Sequence, residues 1–558
     1  MKNLNSVTTG ESCSESRPMI PGEEPDTGAD PSKEVAAVIL HTNDIHCGYA
    51  DNIGYDGLAL YKKELEQHVE HVFLVDCGDA IQGAAIGTVS KGQAILQMMN
   101  AAGYDVTTLG NHAFDFGMDV LEETAGRFVG KVICANYCTA DGRPVFPPGI
   151  ILDAGWVRIG FIGVDTPDSY LKSRLREMRD ESGRPLYDFL ADADGSRLCL
   201  ALQESVDELR RNGADVIILL SHLGDNERVS PEYRTSRVLA GLSGIDAVLD
   251  DHSHKIYLKT LKDKEGKEIL TVQAGTRFEN IGQLTIYKDG HLEEKLLQVI
   301  PASDTLPMET VERNGKTRFV DPEMHALINE IVQPYEATLN RKIGTLSFDM
   351  ILEVDELHIS QRYQENALCE LVADAYRRAG NSEIGFITAS GLMNDLLKGD
   401  ITWRSILGVQ PFGNTIQTVR VSGQMLKDIL EYAVRKCPNK AGTFPHVSGM
   451  TFTVDLSVKS SVRMGDMEQF SGVEGPRRVS EIRVGGRALD PQAEYTLTTS
   501  DYLINGGDGF KPFKKAVLVN DTGKLDCDVV MDYIENDLGG VIPDCYRNPL
   551  GRMRLIGR

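Results

Sequence analysis

Five short apolar runs in the first half of this chain each end in a cluster of histidine, aspartate or asparagine. Val38–Leu40 leads into His41-Thr42-Asn43-Asp44-Ile45-His46, and Phe73–Val75 into Asp76-Cys77-Gly78-Asp79. Val106–Leu109 leads into Gly110-Asn111-His112-Ala113-Phe114-Asp115, and Ile217–Leu220 into Ser221-His222-Leu223-Gly224. Ala247–Leu249 leads into Asp250-Asp251-His252-Ser253-His254. The runs read as buried strands, with helical patterns such as Leu58–Val69 and Ile95–Ala102 between them. Strands alternating with helices over about 260 residues predict an α/β domain. In such a sheet the carboxyl ends of the strands share one edge, where ligand crevices form, so the five clusters can converge on one site.

The residue types narrow the chemistry. Imidazole and carboxylate donors, with no thiolate required, suit divalent transition metals such as zinc, manganese, iron or cobalt, and magnesium fits less well. Asp-x-His and His-x-His put alternate side chains on the same side of an extended segment, so each pair can divide between neighbouring metals. Alone, an Asp-x-His or an Asn-His is an ordinary loop. Five such clusters, each closing an apolar strand, point to a two-metal centre.

Composition sets the outer bounds. A chain of 558 residues exceeds what one core serves, which predicts about two to four domains. The net charge of −24 argues against a nucleic-acid polymer as partner, because binding one needs a large basic surface. Small anionic substrates remain open, since bound cations can hold them. No apolar run approaches the roughly 18 residues that span a bilayer. Ten cysteines with no CxxC pair, Cys134 and Cys138 being the closest, speak against a thiolate cluster or a disulfide scaffold. Cys47 and Cys77 read as small buried hydrophobes, and a reducing compartment fits. Residues 1–33 are polar and lack the apolar stretch of a secretory signal, so they are expected to form a disordered leader on a cytoplasmic protein.

Gln273–Tyr287 and Leu292–Val299 read as an antiparallel part closing the first domain, 34–300. Residues 301–344 read as a connector containing a helix over Glu323–Leu339, and 345–558 as a second α/β region.

The motifs HTNDIH, DCGDAIQGA, GNHAFD, SHLG and DHSH resemble, in order and spacing, the calcineurin-like metallophosphoesterases. More narrowly, they resemble the 5'-nucleotidase and 2',3'-cyclic phosphodiesterase branch, over Ala36 to Arg554. The resemblance implies an N-terminal four-layer sandwich and a C-terminal α/β substrate-binding domain. It implies one metal held by Asp44, His46, Asp79 and His254, and a second by Asp79, Asn111, His222 and His252, with Asp79 bridging. His112 and Asp115 match the catalytic pair. A water between two such cations is acidified toward a pKa of about 7 and can attack phosphorus in line. Departures are Cys47 after the first motif, Ala113 inside GNHAFD, and Asp251 where glycine commonly precedes HSH. Asp251 is expected to face solvent, or else to add negative charge that shifts metal preference.

In the second half, Pro411-Phe412-Gly413-Asn414 and Asn505-Gly506-Gly507-Asp508-Gly509-Phe510 match the branch's substrate motifs. The resemblance implies a base clamped by Phe412 and Tyr502, ribose hydroxyls taken by Asp508, and further contacts from Asn414 and Arg362. Glu370 stands where an asparagine is common. Met393 and Thr388 replace a ligand-contacting arginine and an asparagine. A hydrogen bond to a charged group is worth about 1.5–3 kcal/mol, so nucleotides are expected to bind about 10- to 100-fold more weakly than in a relative with the full motif.

The function implied is hydrolysis of nucleotide phosphoesters by a 5'-nucleotidase, a 2',3'-cyclic phosphodiesterase or a nucleotide-sugar hydrolase. The alternatives are a sister metallohydrolase of a non-nucleotide phosphoester or sulfur ester, and a non-catalytic ligand-binding relative. Oligomeric state is left open.

Overall fold

Strands covered on both faces read as unbroken apolar runs, and the inner strands of the first half, such as Val35–Thr42, Val216–His222 and Ala247–Asp250, are covered in that way. The computed structural model describes residues 34–557 apart from 170–177, 179–183, 227–228, 314–315, 355–358 and 466–469. The leader expected at 1–33 lies outside the described residues.

The first half builds two six-stranded sheets. In spatial order, one carries Leu292–Leu297, Ile281–Tyr287, Val35–Thr42, Val72–Asp76, Val106–Thr108 and Lys131–Ile133. The other carries Ile256–Lys262, Glu268–Ala274, Ala247–Asp250, Val216–His222, Arg158–Asp165 and Gly149–Asp153. Alternate residues of each strand serve opposite faces. Ile39, Val75, Ile159, Phe161, Ile218, Leu220 and Leu249 meet in the core between the sheets. Val38, Leu40 and Leu74 face the other way, onto the helices Gly54–Glu66 and Gln93–Ala102. Ile162, Ile217, Leu219 and Val248 do the same against Ser196–Arg211 and Thr235–Leu239. The result is a four-layer α/β/β/α sandwich.

Parallel registers bring the strand ends level. Thr42 pairs with Asp76 and Asp76 with Thr107, while Asp165 pairs with His222 and Asp250 with Ser221. The loops that follow therefore start from one edge. The closing strands differ from expectation in one respect. Ile281–Tyr287 and Leu292–Leu297 are antiparallel as expected. Gln273, however, belongs to Glu268–Ala274, which lies parallel to Ala247–Asp250 in the second sheet.

A short hairpin, Glu309–Arg313 with Lys316–Val320, precedes the helix Pro322–Leu339. Asp321 caps that helix by accepting from the Met324 N–H at 2.8 Å, and Pro322 takes the first position, where no N–H is needed. The segment is docked on the first half. Arg318 forks onto buried Asp56 at 2.6 and 3.1 Å, and His325 Nδ1 reaches the same carboxylate at 2.8 Å.

The second half holds a five-stranded sheet in the order Pro445–Ser448, Ile384–Thr388, Glu494–Ser500, Thr415–Ser422, Val517–Leu525, beside a four-stranded one. Helix Ala367–Ala379 starts at Asn366, whose side chain accepts from Leu368 and Cys369 N–H. It carries Glu370 inward, 1% exposed, where a carboxylate oxygen accepts from the Leu550 N–H at 2.8 Å. Burial raises this carboxyl to about 8, against the opposing Leu550 N–H and with help from neighbouring Glu365. An unfolded glutamate titrates near 4.3, so Glu370 costs stability as pH rises above that value, and the cost levels off above its folded pKa. Glu370→Gln keeps the acceptor for Leu550. It is expected to stabilise the protein by about 1–3 kcal/mol near pH 9 and to make no difference near pH 4.5, read by thermal unfolding at both pH values. Equal stabilisation at both would contradict the ionisation account.

Candidate metal centre and substrate cavity

The first two polar loops are laced together by backbone, and a bond from Arg277 holds the first from its other side. His46 N–H donates to Asp79 O at 3.0 Å, Cys47 N–H to Ala80 O at 2.9 Å, and Arg277 N–H to Asp44 O at 3.0 Å. Gly78 has φ +111°, and a Cβ there would lie 2.7 Å from His222 Nδ1, so only glycine lets the second loop pass. Asp44, His46, Asp79, His252 and His254 all take left-handed φ, between 46° and 67°. Each such residue costs on the order of 1–3 kcal/mol and persists where its surroundings over-determine it.

One cluster joins Asp44, His46 and His254. His46 Nε2 lies 3.1 Å from His254 Nε2, and Asp44 Oδ1 lies 3.4 and 3.3 Å from them. A tetrahedral ion with bonds of about 2.0–2.2 Å spaces its ligand atoms about 3.3–3.6 Å apart, close to this triangle. His46 Nδ1 faces the Gln82 carbonyl at 3.0 Å and so carries the proton, which turns the lone pair on Nε2 inward.

A second cluster joins Asp79, His222 and His252. His222 Nδ1 faces two acceptors, Cys77 O at 3.0 Å and Asp251 Oδ2 at 2.8 Å, and is therefore protonated. Its Nε2 is 3.0 Å from Asp79 Oδ2, yet buried and without a hydrogen bond of its own. Asp44 Oδ1 is orphaned in the same way. Acceptors aimed at one another in a buried site need a cation between them, so the donor set fits divalent metals. Asn111 lies at the start of a short turn, Asn111–Phe114. A Cβ on the preceding Gly110 would fall 2.2 Å from Asp79 Oδ1, so the two loops touch without room for a side chain.

His112 follows. Its N–H donates to Asp79 Oδ1 at 2.9 Å, and its Nδ1 bonds Asp115 Oδ2 at 2.6 Å. Burial disfavours the imidazolium, but Asp115 and Asp79 outweigh it and hold this histidine up at about 9. Burial would likewise raise Asp79, yet His222, His112 and His46 keep it well below the usual carboxylate range.

Asn111, His112 and Asp115 line a cavity whose far wall includes Thr388, Ser390, Phe412, Asn414, Tyr502 and Asp508. Gln82 Nε2 donates to Pro411 O at 2.8 Å, joining the metal loops to the PFGN motif. The Tyr502 ring lies over Gly507, where a Cβ would be 2.5 Å from it. Tyr502 Oη bonds Asp508 Oδ1 at 3.1 Å, and Ser390 Oγ donates to Asp508 Oδ2 at 2.6 Å. Asn414 Nδ2 donates to buried Asp526 at 3.1 Å. Arg362 is not part of the lining. Its Nη1 sits beside Gly442, which Ser390 also approaches. Met393 is 53% exposed and also outside the lining.

Two residues escaped sequence reasoning, and a third had been read in two ways. Ser390 and Asp526 shape the cavity, and Ser390 lay inside the segment 388–393 that departs from the motif. The third is Asp251. Instead of facing solvent it is fully buried, because His222 and Asn43 both donate to its carboxylate.

A four-layer sandwich with Asp/His clusters at the strand ends of both sheets is the architecture of a phosphoesterase, a hydrolase. A family model for the 5'-nucleotidase C-terminal domain matches residues 342–515, and one for the bacterial capsule synthesis protein PGA_cap matches 66–260. The chain is 25% identical, over 91% of its length, to the Bacillus subtilis trifunctional nucleotide phosphoesterase protein YfkN, of which it spans 34%. It is 25% identical to the Bos taurus 5'-nucleotidase, covering 89% of this chain and 88% of that one. The crystal structure of a 5'-nucleotidase precursor from Thermus thermophilus superposes with a TM-score of 0.68 at 25% identity, covering 94% of this chain and 99% of that one. Over its C-terminal half the chain matches the 5'-nucleotidase domain model, and along most of its length it is similar to 5'-nucleotidases. Among the described residues no helix is long and apolar enough to cross a membrane.

Proposed function

We propose that this protein hydrolyses nucleotide phosphoesters with two divalent metals, as a 5'-nucleotidase, a 2',3'-cyclic phosphodiesterase or both. The observation that carries the reading is the single cavity lined by the His112–Asp115 pair on one wall and by Phe412, Tyr502 and Asp508 on the other. Asp44, His46, Asp79 and His254 would hold one metal, and Asp79, Asn111, His222 and His252 the second. When bound, such a pair polarises phosphoryl oxygens and acidifies water.

The chain's own groups do the rest. Asp115 takes the Nδ1 proton of His112 into a hydrogen bond and keeps the imidazole protonated, so Nε2 can donate to a phosphoryl oxygen or to the departing alcohol. Each carboxylate oxygen of Asp508 accepts one bond from Tyr502 or Ser390 and keeps a lone pair for a sugar hydroxyl. Phe412 offers a ring for a base to stack on.

The test is phosphate release from AMP and from 2',3'-cyclic AMP by metal-stripped protein reloaded with manganese, zinc, cobalt or magnesium. Release with at least one metal is expected. A fully loaded protein inert on every phosphoester would defeat the reading. Stacking on an aromatic ring is worth about 1–3 kcal/mol, so Phe412→Ala is expected to raise KM for the best nucleotide about 10-fold and to leave kcat within about 3-fold. An unchanged KM would favour a non-nucleotide ester instead.

A further inference from the structure

Asp251 touches neither cavity nor solvent, yet it lies against both metal clusters. Its Oδ2 takes the Nδ1–H of His222 at 2.8 Å, and its Oδ1 accepts from Asn43 Nδ2 at 3.0 Å. The same Asn43 nitrogen lies 3.5 Å from Asp44 Oδ2. Asn43 cannot swing away, because its Oδ1 accepts from Ala274 N–H at 3.0 Å and its Nδ2 also donates to Gly275 O at 2.6 Å. Asp44, His222 and Asp251 present their donor atoms within 4.8 Å of one another.

We infer that Asp251 is a positioning residue that fixes His222 and, through Asn43, Asp44, and so sets the affinity of the metal centre. This rests on the two-metal reading above. The Cys77 carbonyl, 3.0 Å from the same His222 nitrogen, could fix the tautomer alone. What the carboxylate adds is charge. A histidine whose outer nitrogen bonds a carboxylate is a more basic ligand, and the loss of such a partner typically costs about 10- to 100-fold in metal affinity.

The experiment is chelator competition on the full chain with zinc and with cobalt(II), together with the cobalt absorption spectrum, for wild type, Asp251→Ala and Asp251→Asn. Wild type is expected to bind two cations. Asp251→Ala is expected to bind the weaker one about 10- to 100-fold less tightly and to shift the cobalt bands. Asp251→Asn keeps an acceptor for His222 but not the charge, and an intermediate affinity is expected. If Asp251→Ala does not fold, judged by circular dichroism, the near-isosteric Asp251→Asn decides alone. Wild-type affinity for both cations with an unchanged spectrum in the folded variants overturns the inference and leaves the two-metal reading standing. Fewer than two cations on wild type overturns both.

Discussion

Replacing Asp79 by asparagine is expected to lower phosphoester hydrolysis by about 10³-fold or more, since several kcal/mol of Lewis-acid stabilisation is at stake and each 1.36 kcal/mol is tenfold. Asp79 lies in two clusters, one with His46 and His112 and one with His222 and His252. One oxygen is 3.0 Å from His222 Nε2, and the other accepts the His112 N–H at 2.9 Å. An amide would remove the shared negative charge and turn an N–H₂ group toward one of the proposed cation positions. Fold should survive, because Asp79 sits at φ 52° and asparagine tolerates the left-handed region better than most residues. Metal analysis of the variant is expected to find no more than one cation per chain. Two cations and wild-type turnover would remove Asp79 from the bridging role.

His112→Gln is expected to act on turnover alone. General acid–base groups contribute about 10²- to 10⁴-fold, and His112 combines the 2.6 Å bond to Asp115 with a place on the cavity wall. The variant should lose kcat in that range while keeping both metals, since His112 is outside the proposed ligand sets. Asp115→Asn should cost less, because it weakens the charge on His112 without removing the donor. A kcat within about threefold of wild type for His112→Gln would mean that the metals and the cavity carry the reaction without this donor.

Much of this was legible beforehand. The runs that close in HTNDIH, DCGD, GNHAFD, SHLG and DHSH are apolar on both faces, which already implies strands buried between layers. Their parallel pairing implies a common edge for the polar clusters. The helix Pro322–Leu339 was visible through its periodicity as Glu323–Leu339, one residue short at its start. These features are local, and a few consecutive residues are enough to state them.

Other features depend on partners far along the chain. Gln273 was read with the closing segment that follows it, and only packing of Glu268–Ala274 beside Ala247–Asp250 puts it in the second sheet. The hairpin at 309–320 depends on Arg318 finding Asp56, more than 250 residues away. The left-handed backbone at Asp44, His46 and Asp79 goes with hydrogen bonds between the first two loops, Asp44 N–H to Gly78 O and His46 N–H to Asp79 O, which no local pattern states. Asp251 is the sharpest case. A carboxylate beside His-Ser-His belongs in water unless donors wait for it, and those donors, Asn43 and His222, are 208 and 29 residues distant. The amino-acid order alone determined which chemistry this chain can gather. Tertiary packing decided which polar groups lose water and face one another, because burial of a charge is set by neighbours that no local pattern contains.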